Sequence, residues 1–84
     1  MKKAIVTIYT RPGCHLCEEA KTAIRASNCD ADFTLKEINV DEDAALRERY
    51  GYDVPVIFIN DVKVFKHQVD PREFRRKLQR LTKP

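Results

Sequence analysis

The sequence predicts an α/β fold, a four-stranded mixed sheet with helices on both faces in the order β-α-β-α-β-β-α, within one domain spanning residues 1–84. Three observations carry this reading. Strand-length apolar runs alternate with stretches whose apolar residues recur at intervals of three and four, the helical period. A two-residue turn signal joins strand-like runs only near the end, at Asn60-Asp61, so the last two strands form a hairpin. The first strand pair is separated by a helical stretch and runs parallel through a right-handed crossover. A chain of 84 residues also suits a single core, because it buries only roughly 60–65% of its unfolded surface and has little to divide.

Taken in order, residues 4–9 form a nearly continuous apolar run, as expected of a strand covered on both faces. Thr10-Arg11-Pro12-Gly13 is a turn by composition. From Cys14 to about Asn28, Cys17, Ala20, Ala23, Ile24 and Ser27 make the stripe of an amphipathic helix. Residues 33–40 read as a strand whose apolar parity changes between Leu35 and Ile38, which predicts a bulge or an edge strand wetted on one side. Asp41 is placed to cap a short second helix, with Leu46 and Tyr50 four apart and Gly51 ending it. Residues 54–59 read as a buried strand and residues 62–66 as its hairpin partner. The last helix has Asp70 as its cap, Pro71 at its first position, Glu73 in its first turn and Phe74, Leu78 and Leu81 as its buried stripe.

Composition narrows the function. Sixteen Lys and Arg against thirteen Asp and Glu give a net charge of +3, too mild an excess to call for nucleic acid. No segment approaches the roughly 18 consecutive apolar residues that a membrane span needs, and the N-terminal run is too short for a signal peptide, so a cytoplasmic address is expected. Three cysteines fit it, since a secreted disulfide scaffold usually carries an even set. The basic C-terminal helix, with Arg72, Arg75, Arg76, Lys77 and Arg80, reads as a solvated charged face, and a monomer is expected.

Chemistry enters at Cys14-His15-Leu16-Cys17. Helical residues three apart share a face with Cβ atoms about 5–6 Å apart, and a disulfide tolerates Cα separations of about 4.4–6.8 Å, so the pair can open and close locally. As a staple the bond would contribute only about 2 kcal/mol in the loop-entropy picture, against about 4.7 for a hundred-residue loop. A redox role explains it better. Cys14 falls at a helix N-terminus, where unpaired N–H groups and the positive end of the macrodipole favour a thiolate, with Arg11 and His15 as nearby cations. Cys17, one turn further in on the apolar stripe, is shielded. Cys14 is therefore expected to attack and Cys17 to resolve the mixed disulfide. Glu18 and Glu19 oppose this by repulsion.

The run Tyr9-Thr10-Arg11-Pro12-Gly13-Cys14-His15-Leu16-Cys17, with Asp53-Val54-Pro55 far downstream, resembles the glutaredoxins and especially the short glutaredoxin-like proteins of the thioredoxin superfamily, over nearly the whole chain. The resemblance implies a thioredoxin-like fold and a dithiol oxidoreductase acting on protein or glutathione mixed disulfides. It implies that Pro55 is cis and packs beside the dithiol, that the Val54 backbone pairs with an incoming peptide or glutathione, and that Arg11 contacts a glutathione carboxylate. It implies further that Asp70 holds the γ-glutamyl end of that ligand, and that no bound cofactor is required. The expected partners are disulfide-containing proteins and a thiol reductant, either glutathione as co-substrate or a thioredoxin-reductase-type system. Three positions depart from the pattern: His15-Leu16 replaces the usual Pro-Tyr, Asp53 stands where Thr is common, and His67-Gln68-Val69 precedes Asp70 in place of a Gly-Gly stretch.

Two other functions use the same residues. A zinc or iron-sulfur module would join Cys14 and Cys17 to Cys29, His15 or His67. A redox-inert adaptor would keep the groove for protein binding alone. The C-x-x-C before a helix in a βαβ pattern favours redox chemistry over a metal site, and turnover by a Cys14→Ser variant would distinguish the adaptor.

Overall fold

In the computed structural model, which describes residues 3–82, the elements are β1 (Ala4–Thr10), α1 (His15–Ala26), β2 (Phe33–Asn39), α2 (Ala44–Tyr50), β3 (Val56–Ile59), β4 (Val62–Lys66) and α3 (Pro71–Thr82), with short 3-10 turns at Asp30–Asp32 and Val40–Glu42. The strands lie in the order β2-β1-β3-β4. β1 runs parallel to β2 and antiparallel to β3, and β3 runs antiparallel to β4. This is the predicted mixed sheet.

The core lies between the sheet and the pair α1 and α3. Alternate residues of β1, Ala4, Val6 and Ile8, meet Ala20 and Ile24 of α1, Phe74 and Leu78 of α3, and Phe33, Ile57 and Ile59 of the neighbouring strands. Phe74 packs edge-on to Phe33 with ring centres 5.5 Å apart. The other face is covered by α2 through aromatics, Tyr50 stacking on Tyr9 at 4.6 Å and meeting Phe58 at 6.2 Å. A seven-residue helix spans about 10 Å, so it covers the C-terminal end of β1 but not its start. Ile5 is 51% exposed in consequence, and the expectation that β1 is sealed on both faces is corrected for its first half.

Several local expectations change. The parity switch in β2 marks an edge strand without a bulge, since its register with β1 runs unbroken from Ala4 opposite Phe33 to Thr10 opposite Asn39. The sheet irregularity falls instead between β3 and β4, at Ile57 and Phe58, and lets both Val64 and Phe65 pack against the core. Asp41 is not the cap of α2. The Asn39 side chain accepts the Asp41 N–H at 2.9 Å and turns the chain through the 3-10 segment first, so that Asp43 caps, accepting from Ala45 N at 2.9 Å and Leu46 N at 3.2 Å. Residues 54 and 55 precede β3 rather than belonging to it.

Other signals act as read. Asn60 adopts a left-handed φ of 55° in the hairpin, where its amide donates to Ile5 O at 2.7 Å and its side chain accepts from Ile5 N at 3.1 Å. Asp70 caps α3 by accepting from Arg72 N at 3.1 Å. Gly51 ends α2, its amide donating to Arg47 O at 2.8 Å; a β-carbon there would collide with that carbonyl.

Candidate active site

The turn after β1 delivers Cys14 to the N-cap of α1. Gly13 takes a φ of 73°, open to glycine at no steric cost, and the Cys14 amide closes the turn on Arg11 O at 3.2 Å. Cys14 is extended while its sulfur accepts the Cys17 N–H at 3.1 Å, so a sulfur fills the place that a Ser or Asp oxygen commonly holds at a helix start. The same donor, with the end of the helix dipole behind it, stabilises negative charge on that atom when the bond is open. Cys14 and Cys17 are joined as a disulfide with Cα atoms 5.2 Å apart. The two sulfurs differ in access. Cys14 is partly exposed and Cys17 is 1% exposed, sealed in the apolar stripe.

The carboxylates that oppose a thiolate here have side-chain partners. Glu18 lies 2.7 Å from Lys21 Nζ, which also reaches Glu37 of β2 at 2.8 Å, and Glu19 lies 3.0 Å from His15 Nε2. Hydrogen bonding to Glu18, then to Glu37, raises the Lys21 pKa above its ordinary value and keeps that charge in place. The His15 side chain is 90% exposed and points along the helix surface toward Glu19.

The Val54-Pro55 peptide, in the loop before β3, is cis. Pro55 is buried and its carbonyl accepts the amide of His67, at 2.8 Å, which ties the end of β4 to this loop. His67 holds a left-handed φ of 72°, a backbone state that costs a β-carbon-bearing residue of order 1 kcal/mol or more. Val54 is half-buried, and among the described residues its backbone makes no hydrogen bond, which leaves an unpaired peptide edge beside the loop. Asp70 is exposed at the start of α3. The segment before it, His67-Gln68-Val69, shares a cavity wall with Leu16, Glu19 and Ala20 of α1.

Arg11 has partners within the chain. Its Nε lies 3.0 Å from Asp41 Oδ1, a buried oxygen held by charge without an aligned hydrogen bond, and its Nη1 donates to Gly51 O at 3.2 Å. Arg11 thus straps the turn before Cys14 to both ends of the α2 segment.

A cavity of about 540 Å³ opens beside Cys14, with Arg11, His15, Glu18, Glu37, Asn39 and Glu42 in its wall. Sequence reasoning missed Glu37, Asn39 and Glu42. A signal was present, because Phe33, Leu35, Glu37 and Asn39 lie opposite Ala4, Val6, Ile8 and Thr10, so the core-facing stripe of β2 turns polar at its C-terminal end. Cys29, by contrast, is buried in the core beyond the far end of α1, about 18 Å of helix from Cys14, and among the described residues no three His, Cys, Asp or Glu side chains converge as a metal site.

With this geometry in view, the chain matches the Glutaredoxin-like domain (DUF836) over residues 5–79. It belongs to that family. A Glutaredoxin-like protein YDR286C homolog of Dictyostelium discoideum is 33% identical over 75 residues, covering 82% of this chain and 69% of that protein. The X-ray structure of protein XcR50 from X. campestris superposes with a TM-score of 0.77 at 29% identity, over 89% of this chain and 96% of that one. Thioredoxin-2 of the malaria parasite superposes with a TM-score of 0.68 at 17% identity, over 95% of this chain and 85% of that one, a likeness of fold. This glutaredoxin-like domain therefore has a thioredoxin-like fold with a C-x-x-C disulfide at the start of its first helix. Among the described residues no helix is long and apolar enough to cross a membrane.

Proposed function

We propose that this domain is a thiol-disulfide oxidoreductase working by a dithiol mechanism. The observation that carries the reading is the unequal disulfide: an accessible sulfur at a helix N-cap, receiving a backbone N–H, bonded to a buried sulfur one turn inside. In the reducing direction the Cys14 thiolate attacks a substrate disulfide, forming a Cys14–substrate bond while the leaving sulfur departs with the electron pair. The Cys17 thiolate then attacks Cys14, the second substrate sulfur leaves, and the protein is left oxidised as the substrate gains two electrons. A thiol reductant restores the pair. No resident cofactor enters these steps.

The Val54 peptide edge beside Pro55 supports a substrate chain lying across the dithiol, by the family resemblance and by its lack of internal partners. Exposed Leu16 supports contact with a protein substrate. The test is a redox titration of the dithiol, with free thiols alkylated at each potential and the intact mass read. A two-electron transition confined to Cys14 and Cys17, with turnover of a model disulfide abolished by Cys14→Ser, is expected. Cys17→Ser should instead accumulate a mixed disulfide on Cys14. Turnover that persists in Cys14→Ser would overturn the proposal.

A further inference from the structure

The cavity beside Cys14 has a charge opposite to that of the chain around it. Its wall carries Glu18, Glu37 and Glu42 from three separate elements, α1, β2 and the 3-10 turn after β2. Arg11 and His15 share the wall and Lys21 adjoins it, and each has a carboxylate partner, Glu19 in the case of His15. Arg11, also in the wall, faces Asp41 and Gly51, and Lys21 is shared between Glu18 and Glu37. Glu42 is exposed and has no cation within ion-pair distance among the described residues. Counting Asp41, four carboxylates stand against Arg11 and Lys21 here, with the His15–Glu19 pair beside them, in a chain whose net charge is +3.

The three glutamates are exposed, and it is the register of β2 that ties Glu37 to the site. Glu37 and Asn39 continue the inward stripe begun by Phe33 and Leu35, opposite Ile8 and Thr10 of β1, where a strand built only for packing would keep its apolar alternation. The break opens the cavity between the sheet and the first turn of α1, with Cys14 in its wall. A local departure from the packing pattern beside a reactive group is where function commonly overrides stability.

The geometry points to a substrate class. This cavity accepts a cationic side chain, Lys or Arg, flanking the cysteine of a disulfide-bonded peptide, and it disfavours disulfides with anionic flanks. The inference rests on the dithiol reading and adds its selectivity. An incoming lysine ammonium or arginine guanidinium meets the unpaired Glu42 and the half-neutralised pair Glu18 and Glu37, while the anionic carboxylates of a ligand such as glutathione find Arg11 already turned to Asp41 and Gly51. Selection acts on the encounter and on the mixed disulfide, and therefore weakens with salt.

The experiment uses the full chain, reduced with dithiothreitol and desalted, in single turnover against two blocked peptides, each disulfide-linked to 2-mercaptoethanol. One carries lysines and the other glutamates around the cysteine, and uncharged hydroxyethyl disulfide is the reference. At low salt the lysine peptide should oxidise the protein about tenfold faster than the glutamate peptide, and the ratio should fall to about twofold in about 0.5 M salt. Glu42→Gln should lower the ratio, and Glu42→Lys should lower it further or reverse it, each ratio being taken within one variant so that a general loss of activity cancels. Equal rates for the two peptides, or a faster glutamate peptide, would overturn the inference while turnover of hydroxyethyl disulfide leaves the dithiol function standing. Failure to react with all three disulfides would overturn the function itself. The salt dependence of the wild-type ratio decides the matter even if the variants fold poorly.

Discussion

Helix α1 has a cysteine environment at each end, and the two have little in common beyond the sulfur. At the N-terminal end Cys14 is partly exposed, receives the Cys17 N–H at 3.1 Å and borders an open cavity. Beyond the C-terminal end Cys29 is 4% exposed, packs within the core and donates its S–H to Ser27 O at 3.4 Å. One sulfur meets unpaired N–H groups and the positive end of the dipole. The other meets carbonyl oxygen and hydrocarbon, which disfavour charge. On the proposed dithiol reading, backbone polarity and solvent access, more than residue type, set the two sulfurs apart.

The largest expected effect separates the two ends outright. Cys14→Ser should lower disulfide turnover by more than about a hundredfold, whereas Cys29→Ala should leave the rate within about twofold, both read in one steady-state assay. A comparable loss in both would break the contrast. Next comes a rate of modification. In the reduced native protein at neutral pH, iodoacetamide should label Cys14 at least about tenfold faster than Cys29, followed by peptide mass mapping, and the gap should close in denaturant. Preserved selectivity in the unfolded chain would mean that helix polarity is not its source.

A stability measurement sharpens the comparison from the packing side. Cys29→Ala should cost about 1–2 kcal/mol in denaturant unfolding, because it removes a buried sulfur from a close-packed site. The smallest effect concerns Lys21, which sits along α1 and neutralises Glu18 near the reactive end. Lys21→Met should cost about 0.2–1 kcal/mol at neutral pH. Because pairing with Glu18 and Glu37 raises the Lys21 pKa, its contribution is fully present below the ordinary value of 10.5 and is lost as pH rises through the higher folded value. Melting curves of wild type and variant should therefore converge at strongly alkaline pH, and divergence there would refute the ion-pair account.

Local signals were legible where they involve neighbours in the chain. The Asn60-Asp61 turn and the Asp70 cap each depend on residues within a few positions and lie where the composition puts them, and Cys14 stands one position before the helix it was expected to begin. The cap of α2 was misread because Asp41 and Asp43 are equivalent in local chemistry. Only the Asn39 side chain, by turning the chain first, favours the second. The parity change in β2 was legible as an edge strand, but it could not show that Glu37 and Asn39 look toward Cys14, since that depends on the register with β1.

The sequence by itself determined the order of elements, the dithiol and its asymmetry, because periodicity, capping and helix polarity are short-range properties of a chain. The tertiary structure alone decided what Arg11 holds, which carboxylates border Cys14 and how far α2 covers the sheet. Those outcomes bring together residues such as Arg11 and Gly51, forty positions apart, whose approach is set by the pairing of strands and the packing of a shared core.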